Sequence, residues 1–277
     1  MGSSSKRPHL AVGPTQPQRT AAVRLADREN LTALDIRLLG ALRVERDGQP
    51  VPHFRSLKTL ALLGYLIVSE RPVAREHLAG LFWGDSPTPE ALGHLRRALH
   101  NLAKLLPGCL TADRQTVAFV AGPECQADLR LFHTLERHGD SAALAQAAAL
   151  YRGPFLEGLY LDDCSEFETW LLAERERWRL AVARVLDRLI THHAQRGDYE
   201  AALHFASRLV ELDPWREEAQ QQQMLLLART GQFSAALRQY DACRRILAEE
   251  LGVAPSPETV ALYERLRIAA ARQPLQR

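Results

Sequence analysis

The chain has 277 residues, of which 46% are apolar, 25% charged and 6% aromatic, with a formal net charge of +2. That length suits two ordinary domains at roughly 100 to 200 residues each, and the composition supports packed cores and argues against disorder over most of the chain. With no uncharged apolar run of about 18 residues and no apolar segment after the first basic residues, neither a helical membrane span nor a signal peptide is supported, so a cytoplasmic protein with no membrane partner is expected. Cys109, Cys125, Cys164 and Cys243 form no C-x-x-C pair and have no metal-like spacing, so thiols in a reducing compartment are expected, with no metal and no cofactor. Charge is unevenly spread: residues 31–122 carry 11 basic against 8 acidic residues, whereas residues 123–277 carry 19 against 23. The positive part comes first, the direction expected if that part meets nucleic acid.

Residues 1–30 are rich in Ser, Pro, Gln and Arg without periodicity and read as a disordered tail. From Leu34 the alternation Leu34-Asp35-Ile36-Arg37-Leu38, then Leu42 to Glu45 and Val51 around Asp47-Gly48, predicts short strands joined by a D-G hairpin turn. Between Arg55 and Ser69, Leu57, Leu60, Ala61, Gly64, Tyr65 and Val68 recur at helical spacing, with Pro72 just beyond. A second short helix is expected from Arg75 to Phe82, and a third from Pro89 to Leu106, with Thr88 as its N-cap and Pro107-Gly108 as its stop. Residues 110–120 then read as a hairpin around Ala112 to Gln115. Strands, three helices and a terminal hairpin make the order of a winged helix-turn-helix over residues 31–122.

Residues 123–272 are expected to be entirely helical. Gly197-Asp198-Tyr199-Glu200-Ala201-Ala202-Leu203 recurs 34 residues later as Gly231-Gln232-Phe233-Ser234-Ala235-Ala236-Leu237. This is the tetratricopeptide period, with small residues where paired helices pack and an aromatic filling the adjacent gap. Asp213-Pro214 is expected to start the second helix of the first pair. The fold class is therefore mostly α, an N-terminal winged helix-turn-helix followed by an all-α TPR-like domain.

In the third helix, Leu92, Leu95, Leu99, Leu102 and Leu106 form one apolar stripe, which must face a core. Gly93, Arg97, His100 and Lys104 lie opposite, with His94 and Asn101 on one shoulder and Arg96 on the other. Such a face suits the major groove: Arg97 can pair bidentately with guanine, Asn101 with adenine, and His100 or Lys104 with a base acceptor or a phosphate, while Gly93 permits close approach. A solvated charged face is the bland reading of the same residues, and the surrounding winged-helix order favours the DNA reading. Arg55 and Lys58 at the start of the first helix and Arg114 at the hairpin tip are candidates for phosphate contacts.

His192-His193 lacks ligand geometry, because adjacent helical positions point about 100° apart. The acids at Asp162-Asp163 and Glu166 to Glu168 have no accompanying nucleophile and read as a helix entry. No nucleotide-binding or hydrolase motif is present, so an enzyme is not expected.

Leu81-Phe82-Trp83-Gly84-Asp85, the segment from Leu95 to Leu102, Leu150-Tyr151-Arg152-Gly153-Pro154-Phe155-Leu156, and Glu249-Glu250-Leu251-Gly252-Val253-Ala254-Pro255-Ser256-Pro257 together resemble the SARP-type regulators of bacterial secondary metabolism. In that family an OmpR-like winged helix precedes a bacterial transcriptional activator domain, and the likeness spans about Leu34 to Ile268. It implies binding to direct repeats in double-stranded promoter DNA, self-association of neighbouring copies, and recruitment of RNA polymerase holoenzyme through its sigma factor. One departure stands out: the family usually carries a second basic residue where this chain has Ala103. Two alternatives stay open, a protein-interaction module of a larger regulator and a regulator gated by a small molecule near Trp170, Trp178 or Trp215.

Overall fold

The computed structural model describes residues 34–51, 54–69, 71–120 and 125–272. Both expected domain boundaries, and the tail before them, lie outside these residues. The alternation from Leu34 produces β1 (Leu34–Arg37), which pairs antiparallel with β2 (Arg43–Arg46), and β2 continues into β3 (Gln49–Pro50). Asp47 and Gly48 both hold positive φ, 51° and 74°, as a two-residue primed turn between twisted strands requires.

The three expected helices are α1 (Leu57–Val68), α2 (Arg75–Trp83) and α3 (Thr88–Leu105). Ser56 caps α1 by accepting the Thr59 N–H. Two details depart from the sequence reading. The residue before α3 is Pro87, and Thr88 is already helical with Pro89 behind it, so no side chain caps this end. In α1 the buried set is Thr59, Ala61, Leu62, Leu63, Gly64, Leu66 and Ile67, whereas Leu57 is exposed, because several elements cover the helix rather than one. The distal hairpin is β5 (Leu110–Ala112) with β6 (Thr116–Phe119), and β4 (Val73–Ala74), too short to show a pattern, adds a third strand beside β6.

Beyond the hairpin the chain is not wholly helical, contrary to the periodicity. β7 (Cys125–Ala127) pairs parallel with β1, giving a four-stranded sheet in the order β3-β2-β1-β7. Three residues are too few to reveal alternation, and only the long-range pairing makes them a strand. The chain then forms α4 (Asp128–His138), α5 (Ser141–Leu150), the 31-residue α6 (Ser165–Gln195), α7 (Tyr199–Leu212), α8 (Glu217–Arg229), α9 (Phe233–Ile246), a π-helical turn (Leu247–Leu251) and α10 (Pro257–Ala271). None of the helices in the described residues is long and apolar enough to cross a membrane.

The repeat is structural. Gly197 and Gly231 precede α7 and α9 with φ of 76° and 77°, and Ala202 and Ala236 are both fully buried one turn later. Asp213-Pro214 does not open α8 as expected. It forms a turn, because Asp213 binds Arg179 at 2.6 Å, and α8 begins only at Glu217. Glu217 in turn receives the Ser256 N–H and hydroxyl and the Thr259 hydroxyl, tying the stretch from Val253 to Pro257 to the start of α8.

One buried cluster runs from Leu34 through the helix-turn-helix and on to Leu226, so the strand-rich part and the helical part share a core. At their seam the loop 151–164 lies along the end of β1: Arg152 N–H donates to the Leu39 carbonyl at 3.0 Å and Leu156 N–H to the Leu38 carbonyl at 2.9 Å. Asp128, with only 4% of its surface exposed, accepts the N–H groups of Leu38 and Leu39 at 2.9–3.0 Å and the Arg152 guanidinium at 2.8 Å. Asp128→Ala leaves two amides and a guanidinium unsatisfied at the seam and should cost roughly 3–5 kcal/mol. Equilibrium urea unfolding measures this, and a loss under about 1 kcal/mol would contradict the role given to the carboxylate.

Candidate nucleic-acid interface

The apolar stripe of α3 does face the core: Leu95, Leu99, Leu102 and Leu106 are buried, and Leu92 is half-buried. This leaves Arg96, Arg97, His100 and Lys104 exposed on the outer side, with Gly93 and His94 half-buried beside them. A side chain at position 93 would meet only the tip of Arg97, at 3.9 Å, so the helix surface is open there. His94 stacks on Trp83 with ring centroids 6.1 Å apart and planes 14° from parallel, and its Nδ1 lies 2.9 Å from Arg97 Nη2. Trp83, from the Leu-Phe-Trp-Gly-Asp stretch, thus steadies Arg97 through His94. Sequence periodicity gives no sign of this, since Trp83 and Arg97 belong to different helices.

Two predicted contacts have other partners. Asn101 is buried, 8% exposed, and its Oδ1 accepts the Arg55 N–H at 3.3 Å, so its amide braces the chain entering α1 instead of standing on the outer shoulder. The helical wheel places it near the boundary, and the segment before α1 covers that flank. Lys58 Nζ donates to the Phe82 carbonyl and to Asp163, each at 2.7 Å, and so clamps α1 to the end of α2 and to the entry of α6. The hydrogen bond from Lys58 holds the Asp163 carboxyl below its ordinary value. Arg55 itself is exposed.

Arg114 stands exposed at the hairpin tip, which Asp113 builds by accepting the N–H groups of Gln115 and Thr116 at 2.7 and 2.6 Å. Those bonds, led by the one from Thr116, lower the Asp113 pKa. Arg75, at the start of α2, donates through Nε to the Asp113 carbonyl at 2.8 Å and through its N–H to the Gln115 carbonyl, so the hairpin is fastened to the helix-turn-helix. Arg46 donates to the carbonyl of Leu105 at the end of α3. Both arginines escape sequence reasoning, because a cation bonded to a distant carbonyl follows no local pattern. The arrangement thus leaves Arg96, Arg97, His100 and Lys104 exposed on one anchored helix, Arg55 exposed before α1 and Arg114 exposed on a braced hairpin.

The bacterial transcriptional activator domain model matches residues 127–267, about half of the chain. The chain belongs to that family. Its SARP-type character is borne out by its relatives, which are named as regulators and not as enzymes. It is 29% identical over 267 residues to the regulatory protein AfsR of Streptomyces coelicolor, covering 92% of this chain and 26% of AfsR. It is 31% identical over 258 residues to the transcriptional regulatory protein EmbR of Mycobacterium tuberculosis, covering 84% of this chain and 63% of EmbR. A solved structure of Mycobacterium tuberculosis EmbR in complex with a low-affinity phosphopeptide superposes with a TM-score of 0.65 at 28% identity, covering 88% of this chain and 67% of that one. The chain therefore spans about a quarter of AfsR and under two thirds of EmbR.

The geometry separates the structural from the exposed members of the predicted set. Asn101→Ala should lose roughly 1–3 kcal/mol of stability, because it removes a buried side chain together with its bond to the Arg55 N–H, while Arg97→Ala stays within about 0.5 kcal/mol. Thermal unfolding of the two variants side by side tests this, and equal losses would overturn the assignment.

Proposed function

We propose that this transcription regulator is a sequence-specific activator that reads double-stranded promoter DNA. Residues 31–122 act as the reading head and residues 123–272 as the activator domain. The observation that carries the reading is the outward face of α3, where Gly93, Arg96, Arg97, His100 and Lys104 project from a helix locked by its leucines into a helix-turn-helix with a braced hairpin. In this docking α3 lies in the major groove, Arg97 pairs with a base, and Arg55, Lys104 and Arg114 neutralise phosphates. His94 serves by orienting Arg97. Asn101 and Lys58 support the fold and leave the contact set. The family likeness adds binding to direct repeats by neighbouring copies and recruitment of RNA polymerase holoenzyme through its sigma factor. A second reading, an interaction module within a larger regulator, draws on the greater length of AfsR.

Gel shifts with promoter fragments from the protein's own genomic neighbourhood, at two salt concentrations, test the proposal. A discrete complex at one repeated site is expected. Arg97→Ala should weaken it by roughly 1–3 kcal/mol and relax its sequence preference, whereas Arg114→Ala weakens all fragments alike and lowers the salt slope by about one. Equal binding to every fragment, or no binding, would point to the interaction module.

A further inference from the structure

Away from the α3 face, the helical part carries a cleft of about 380 Å³ between the loop 151–164 and the paired helices α6 and α7. This is within the size range of small-molecule sites. Three arginines are among its lining residues, Arg152 from the loop, Arg179 from α6 and Arg208 from α7, together with Pro154, Val182 and Leu186. We propose that this cleft is a binding site for a small organic anion whose carboxylate or phosphate group meets Arg208 and whose apolar part lies against Pro154, Val182 and Leu186.

Internal structure accounts for some of these cations. Arg152 pairs with Asp128 at 2.8 Å, and Arg179 pairs with Glu176 at 2.7 Å and Asp213 at 2.6 Å. Arg208 differs. It donates from Nη2 to the Ala148 carbonyl at 3.0 Å, and among the described residues no carboxylate forms an ion pair with it. A half-buried guanidinium whose partner is a neutral carbonyl keeps its charge uncompensated and has four further N–H donors. Arg152, with about two fifths of its side chain exposed, also retains donors beyond the one given to Asp128.

The planar fork of a guanidinium matches the oxygen pairs of carboxylates and phosphates. Arg208, the one lining arginine among the described residues whose hydrogen-bond partner is a neutral carbonyl, favours an anion over a cation or a neutral ligand, while Arg179 is held by Glu176 and Asp213 and shapes the wall. Glu211 is the one acid among the described residues lining the cleft, and it is exposed. It opposes an anion there and supplies a second test. Tyr151 closes one side, its phenol half-buried and pushed up in pKa by that burial, so it stays a neutral hydrogen-bond donor. Arg152 also belongs to the seam, where it shares Asp128 with the amides of Leu38 and Leu39.

Isothermal titration calorimetry of the full chain with phenyl phosphate, benzoate and inorganic phosphate, at fixed ionic strength, tests the site. Saturable one-to-one binding of at least one aryl anion is expected, tighter than that of inorganic phosphate. A preference for phenyl phosphate assigns a phosphate ester, and one for benzoate a carboxylate. Arg208→Met should weaken binding at least tenfold, and Glu211→Gln, a surface change that leaves the packing intact, should strengthen it several-fold. Absence of saturable binding by both aryl anions, or binding that is the same in the wild type and both variants, would overturn the proposal.

Discussion

A carboxylate buried where two parts of the chain meet organises this molecule. Asp128 begins α4 immediately after β7, and its two oxygens receive the amides of Leu38 and Leu39, which β1 leaves without partners as it ends. Burial pushes its carboxyl above the ordinary value, while the two amides and Arg152 pull it back. A buried charge is tolerated only when its lone pairs are filled, and here two amides at the end of β1 and the Arg152 guanidinium fill them. The strand end, the first helix of the activator domain and the loop after α5 are thereby held at one point.

Around that point the seam is closed by apolar and aromatic packing. Tyr65 of α1 and Phe82 of α2 meet Trp170 and Phe167 of α6 at ring-centroid distances of 4.7 and 5.0 Å, and Trp170 also meets Phe155 of the loop at 6.0 Å. Arg175 of α6 donates to the carbonyls of Phe155, Leu156 and Leu159, which satisfies a loop that would otherwise bury bare acceptors. Gly64 explains how near the loop comes to α1, since a side chain there would lie 2.8 Å from a methyl of Leu156. The helix-turn-helix is thus mounted on the long helix of the activator domain through side chains of both, and Lys58 is part of that mounting.

This dependence explains why the exposed face of α3 can be so polar. Its stability comes from leucines on the other side and from the elements they contact, so Arg96, Arg97, His100 and Lys104 are free of structural duty apart from the His94–Arg97 contact. The hairpin is likewise held from behind by Arg75, leaving Arg114 at its tip. Rigid support with exposed donors at the surface is the arrangement on which the proposed reading of DNA rests.

Local chemistry was enough to read the D-G turn at Asp47-Gly48 and the leucine stripe of α3, because each depends on residues within a few turns of one another, while the 34-residue repeat was legible as a recurring pattern and the family through the resemblance of its motifs. The helical spacing also identified the outward donors of α3. Tertiary structure alone decided the rest. β4 and β7 are strands only because β6 and β1 pair with them, and Asp213-Pro214 is a turn because Arg179 reaches it. Asn101 and Lys58 have the residue types of DNA contacts, yet each is taken by a group 46 or 105 residues away. Periodicity tells which way a side chain leaves its helix, but whether it meets solvent or a partner depends on what packs over that flank, and that is set by contacts distant in the chain.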